Sequence, residues 1–112
     1  MDGCIFCGIA EGKIGSDIVY QDEKVVAFND VDPKAPVHVI IIPKAHFEKI
    51  EDVRSFSVFS DVFRAIKEIV KAKKLQQNGY RVIANSGKEG GQAVGHVHFH
   101  VMAGRQMAWP PG

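Results

Sequence analysis

The 112-residue chain predicts an α+β fold: a five-stranded antiparallel sheet with one long helix and a short N-terminal helix. Three observations carry that expectation. Five short segments are rich in β-branched and aromatic residues and end at turn residues. One stretch alone, Ser55 to about Gln77, repeats its apolar residues at the helical spacing of three and four. That helix falls between the third and fourth strands and is the only element long enough for a crossover, so the other connections favour antiparallel pairing.

In chain order, Ile5 to Ala10 reads as a short helical turn. Ile18-Val-Tyr-Gln and Lys24-Val-Val-Ala-Phe-Asn form a hairpin around a tight Asp22-Glu23 corner. Asp32-Pro33-Lys34-Ala35-Pro36 is a stiff turn that delivers a third strand, Val37 to Ile42, stopped by Pro43. In the long helix Phe56, Phe59, Val62, Phe63, Ile66, Ile69 and Val70 make one apolar face, which must lie on the sheet or on a second subunit. Ser55 or Ser57 can cap its start, while Lys71, Lys73, Lys74 and then Gly79 suit its negative end and its stop. Tyr80 to Asn85 is the fourth strand and His96 to Met102 the fifth.

Length and composition fit a single domain over residues 1–112. At 46% hydrophobic and 24% charged residues the chain has ordinary globular usage, which argues against disorder or a disulfide scaffold. A formal net charge of +1 provides no bulk positive field for a nucleic-acid backbone or an anionic membrane, so neither is an expected partner and any bound nucleotide is a small one. The longest apolar stretch, Val37 to Ile42, is far short of the roughly 20 residues of a membrane helix. The N-terminus has acids and glycines where a signal peptide has a basic start and an unbroken apolar run, so a cytoplasmic location is expected. There Cys4 and Cys7 are thiols or metal ligands before they are a disulfide.

The chemistry concentrates at His96, His98 and His100, which alternate with Val97, Phe99 and Val101. In a strand this puts three imidazoles on one face and three apolar side chains on the other. A solvent-facing polar row is one reading of that pattern. A metallohydrolase built on an adjacent pair is another, since neighbours about 7 Å apart can share an ion and the outer two, about 13 Å apart, cannot. Direct nucleophilic attack by a neutral imidazole, which suits phosphorus, is the third. Just upstream, Asn85 to Gly95 contains four glycines, whose backbone N–H groups can converge on a phosphate.

Gly91-Gln-Ala-Val-Gly-His-Val-His-Phe-His-Val-Met resembles the signature of the histidine-triad (HIT) nucleotide-binding proteins. The likeness extends through Ile5-Phe6, Phe28-Asn-Asp30, Pro36-Val-His38, Pro43-Lys-Ala-His46 and Asn85 to Arg105-Gln-Met-Ala-Trp109-Pro-Pro-Gly, a tail similar to that of the Hint branch. The resemblance implies a HIT-like fold that dimerises into a ten-stranded sheet. It also implies a hydrolase that cleaves the P–N bond of purine nucleoside phosphoramidates and releases the 5′-monophosphate. His98 would be the nucleophile. His38, His96 and His100 would complete the catalytic group, with Asn85, Gly91, Gln92, Ala93 and His100 around the α-phosphate. Asp30 would hold the ribose, and Ile5, Phe6, Ile9, Phe28 and Val31 would form an apolar slot for the base of AMP, GMP or their phosphoramidates. Some relatives carrying the same two cysteines use them with two histidines for structural zinc, which here implies one ion on Cys4, Cys7, His46 and His96.

Two residues depart from the family pattern: Ala93 stands where many Hint proteins have Ser, and Gly95 where bulkier residues are common. The rival readings are a dinucleoside-polyphosphate hydrolase and, kept open by Ala93, a nucleotide-binding or scaffold protein with little turnover.

Overall fold

The computed structural model describes residues 1–112. A six-residue helix α1 (Ile5–Ala10) comes first, its N–H groups capped by Cys4, whose Sγ accepts from the Cys7 N–H at 3.3 Å. Strands β1 (Ile18–Gln21) and β2 (Val25–Asn29) form the predicted hairpin. Asp22 builds its corner: Oδ1 accepts the Lys24 and Val25 N–H groups at 2.8 and 2.9 Å, and Oδ2 accepts the Tyr20 hydroxyl at 2.6 Å. β2 starts at Val25, one residue later than the sequence predicts.

Strand β3 (Val37–Pro43) is followed by helix α2 (Ser57–Lys73), then by β4 (Arg81–Ala84) and β5 (Phe99–Ala103). All pairings are antiparallel and the sheet order is β1-β2-β3-β5-β4. As the central strand, β3 is covered on both faces, which explains its nearly unbroken apolar run. It continues through Pro43, because a proline at the end of a strand loses only one ladder donor.

Three further elements differ from expectation in their bounds. The long helix is shorter at both ends, with Ser55 Oγ accepting the Ser57 N–H at 3.3 Å. It stops at Lys74, which adopts the left-handed region (φ 56°), while Gly79 (φ 95°) closes the turn after a short 3₁₀ segment. Tyr80 and Asn85 flank β4 rather than belong to it. Most consequentially, β5 begins at Phe99, so His96 and His98 lie in the segment that leads into it. The Val97 N–H is bonded to the Phe47 carbonyl at 2.7 Å, and the His96 N–H turns back to Val94, so this segment is paired outside the ladder.

The sheet separates two cores. Under α2 lie 15 buried apolar residues, among them Val39, Ile41, Val62, Ile66, Ile69, Val97, Phe99 and Val101. On the other face Phe6, Ile9, Val26, Phe28, Ile40 and Ile42 form a smaller core beneath α1. No helix is long and apolar enough to cross a membrane.

Candidate active site and metal centre

The three histidines share the α1 face of the sheet, but a solvent-facing row is overturned: His96 is 0% and His98 5% exposed. Phe6 packs edge-on against both rings, at centroid distances of 6.0 and 5.1 Å. The His98 and His100 rings lean together to 5.0 Å, closer than the strand repeat alone would place them.

Hydrogen bonding fixes which nitrogen of each ring carries the proton. His98 Nδ1–H donates to the His96 carbonyl at 2.8 Å, leaving Nε2 with a free lone pair. Nε2 has no partner in the protein and is not a buried unsatisfied atom, so it reaches solvent. The backbone N–H of Lys34 donates to His38 Nδ1 at 3.0 Å, which places the His38 proton on Nε2. That Nε2–H donates to His100 Nδ1 at 2.8 Å, with Asp30 Oδ2 3.4 Å away. His100 must then carry its own proton on Nε2, where it is a donor. Burial pushes the His38 pKa down against the opposing charge of Asp30. It lowers His100 to about 4, assisted by His98 and His38, so this ring is neutral at pH 7.

A second cluster lies beyond His96. Its Nε2–H donates to the Pro43 carbonyl at 2.8 Å, so Nδ1 presents a lone pair to Cys4 Sγ at 3.4 Å, Cys7 Sγ at 3.6 Å and His46 Nδ1 at 3.2 Å. Cys7 Sγ stands 3.3 Å from His46 Nδ1, and all four ligand atoms fall within 4.8 Å of one another. Zinc with bonds of about 2.3 Å to sulfur and 2.0–2.1 Å to nitrogen has tetrahedral edges of about 3.6 Å for S–N and about 3.3 Å for N–N. The four residues fit that ion, and the carbonyl behind His96 holds the required tautomer. Burial raises the Cys7 pKa and lowers that of His96, against the pull of the Pro43 carbonyl. Bound metal would reverse the first effect by stabilising thiolate. Asp30, His38 and His100 also converge, but their 2.8 Å N–N separation is that of a hydrogen bond and shorter than a zinc edge.

A family model described as the HIT domain matches residues 11–107. The chain belongs to the HIT family. The "14 kDa zinc-binding protein" of Zea mays is 42% identical over 113 residues, covering 96% of this chain and 87% of that protein. A HIT family hydrolase from Legionella pneumophila Philadelphia 1 is 41% identical, with 98% and 100% of the two chains covered and a TM-score of 0.94. A histidine triad nucleotide-binding protein from Candida albicans is 36% identical, with 96% and 83% covered and a TM-score of 0.85.

Within this HIT protein the remaining predicted residues divide by environment. Phe6, Ile9 and Phe28 are buried in the smaller core, with Phe6 and Phe28 edge-to-face at 5.5 Å, whereas Ile5 and Val31 are 51% and 99% exposed. The glycine-rich loop offers a narrower cradle than its composition predicts. The Gly91 and Gln92 N–H groups already bond the Lys88 and Gly87 carbonyls, and the Gln92 side chain ties the loop to Glu48, Gly87 and Val94. Asn85 Nδ2 donates to the Gly90 carbonyl at 2.7 Å. Ala93 and Val94 keep N–H groups without a protein partner. The sequence also hides the parts played by the Lys34 N–H and the Pro43 carbonyl, because every residue type has these backbone groups and only the fold aims them.

Proposed function

We propose that this HIT protein, as one domain over residues 1–112, hydrolyses purine nucleoside 5′-phosphoramidates in the cytoplasm. The carrying observation is the His98 ring, held by its Nδ1–H at 2.8 Å from the His96 carbonyl with Nε2 unpartnered. Nε2 attacks the α-phosphorus, the P–N bond breaks, and the amine leaves with the electron pair and takes a proton from solvent. Water then attacks the nucleotidyl–His98 adduct, the Nε2–P bond breaks, and the nucleoside monophosphate is released. The His100 Nε2–H and the free Ala93 and Val94 N–H groups are the donors for the charged phosphoryl oxygens, with the Asn85–Gly90 bond shaping the loop around them. Asp30 takes the ribose hydroxyls, and Ile5 and Val31 border the base over Phe6, Ile9 and Phe28.

One zinc per chain on Cys4, Cys7, His46 and His96 would be structural, since four protein ligands leave no open position for water. The active form is a homodimer: β4 is an open sheet edge, and Phe63, Tyr80 and Trp109 are 45%, 44% and 83% exposed. The missing hydroxyl at Ala93 favours a second reading, a nucleotide-binding protein with little turnover.

Adenosine and guanosine phosphoramidates test the proposal directly. Turnover with a mass-detected nucleotidyl adduct on His98 is expected, and His98→Ala is expected to lose at least about 10³-fold in kcat while binding purine monophosphate within a small factor. Wild-type turnover in His98→Ala, or an adduct on another residue, defeats the mechanism. Nucleotide binding without turnover in the wild type favours the second reading.

A further inference from the structure

The ring pair His38–His100 depends on a hydrogen bond from a turn, and that turn is held from outside the site. Lys34 donates its N–H to His38 Nδ1 at 3.0 Å, while its carbonyl accepts from Arg105 Nε at 3.1 Å. Arg105 follows β5 directly, past Gly104 (φ 96°), where a Cβ would come within 2.8 Å of Pro36. Only glycine therefore lets the end of β5 press against the Asp32–Pro36 turn and bring the guanidinium to it. The same guanidinium donates from Nη1 to the Gln106 carbonyl at 3.2 Å, which fixes its plane.

We propose that Arg105 is a positioning residue: by holding the Lys34 carbonyl it keeps the Lys34 N–H on His38 Nδ1, so that His38 donates to His100 and His100 donates to the substrate phosphate. This rests on the function proposed above. The physical reason is a constraint on proton direction along the pair. The N–H and the carbonyl of Lys34 belong to the two peptide planes that meet at its Cα, so anchoring one restricts the other. When the N–H leaves His38 Nδ1, the Nδ1–H tautomer becomes available and the 2.8 Å bond can reverse. His100 would then carry its proton on Nδ1 and turn a lone pair towards an anionic phosphate, replacing an attraction with a repulsion. Asp30 Oδ2, 3.4 Å from His38 Nε2, favours the productive direction but at a longer distance than the Lys34 contact. The other charged neighbours, Asp32 and Lys34, are tied to each other by a 2.6 Å ion pair on the solvent side of the turn.

Side-chain isosteres separate the donor from the charge. Gln places its Nε2 at the same number of bonds from the backbone as Arg Nε, whereas Met keeps the length and has no donor. In the zinc-loaded full chain, Arg105→Met is expected to lower kcat/KM for a phosphoramidate at least about fivefold, as expected when only about a fifth of molecules hold the productive tautomer. Arg105→Gln is expected to restore kcat/KM. Nitrogen-15 spectra of the His38 ring, recorded without substrate, are expected to show bare Nδ1 and protonated Nε2 in the wild type and Arg105→Gln, and a mixed pattern in Arg105→Met. Wild-type kcat/KM together with a wild-type ring pattern in Arg105→Met overturns the proposal, as does an Arg105→Gln variant that falls as far as Arg105→Met. A wild type without phosphoramidase turnover defeats the functional reading instead, and the nitrogen spectra still decide the role of Arg105.

Discussion

The two faces of the sheet are built from the same strands at the same period, yet they do different work. Under α2, Val97, Phe99 and Val101 join 12 other buried apolar residues, and nothing there is polar enough to react. On the opposite face the intervening His96, His98 and His100 meet only a six-residue core, and each is held by hydrogen bonds rather than by packing alone. The contrast shows how a small domain supports a buried imidazole array: one face supplies most of the hydrophobic stabilisation, so the other can carry polar groups whose desolvation is costly. A zinc ion on Cys4, Cys7, His46 and His96, as proposed, would reinforce the weaker face at the point where α1 meets the sheet.

The largest expected effect comes from breaking that reinforcement. Cys4→Ser/Cys7→Ser is expected to lose the bound zinc and several kcal/mol of folding stability, because a site absent from the unfolded chain turns metal affinity into folding free energy. Metal analysis with thermal unfolding checks this, and a double variant that keeps stoichiometric zinc rules out the quartet. Since the His96 carbonyl holds His98, the same variant should also lose turnover per folded molecule.

On the helix face the expectation is a stability loss without a chemical one. Ile69, 2% exposed, sits in the core beneath α2. Ile69→Ala is expected to cost about 2–5 kcal/mol by denaturant unfolding while kcat below the unfolding transition stays within about twofold. A comparable drop in kcat would mean that the two faces are not separable.

The smallest effect sharpens the comparison by pH. Below about pH 6.5 the unfolded chain protonates an imidazole that folded His100 accepts only near pH 4, so the unfolded state binds more protons across that window. Stability should therefore fall as pH drops from 7 towards 4, by on the order of 2 kcal/mol from this residue, with His38 acting in the same direction. His100→Asn should flatten the decline measured by unfolding at pH 7 and pH 5; an unchanged slope would show that His100 is not the source.

Much of this was legible in the order of residues. Alternation between His96 and Val101 assigned chemistry to one face and packing to the other, because side-chain period along an extended chain is a local property. The long helix was legible from its apolar spacing, and the hairpin from Asp22. Less visible were the loop N–H groups spent on internal bonds at Gly91 and Gln92, and the short register of β5, since both depend on carbonyls contributed by distant residues. Even the Cys4-x-x-Cys7 pair specified only half a metal site, and His46 and His96 joined it through a family resemblance rather than through spacing.

By itself, then, the sequence determined which residue types occur at which period, and with them the sheet, the helix and the array of imidazoles. Only the tertiary structure decided the proton on each ring. That choice is made by the carbonyls of His96 and Pro43 and by the N–H of Lys34, groups that look alike in every sequence and acquire a direction only when the backbone is folded.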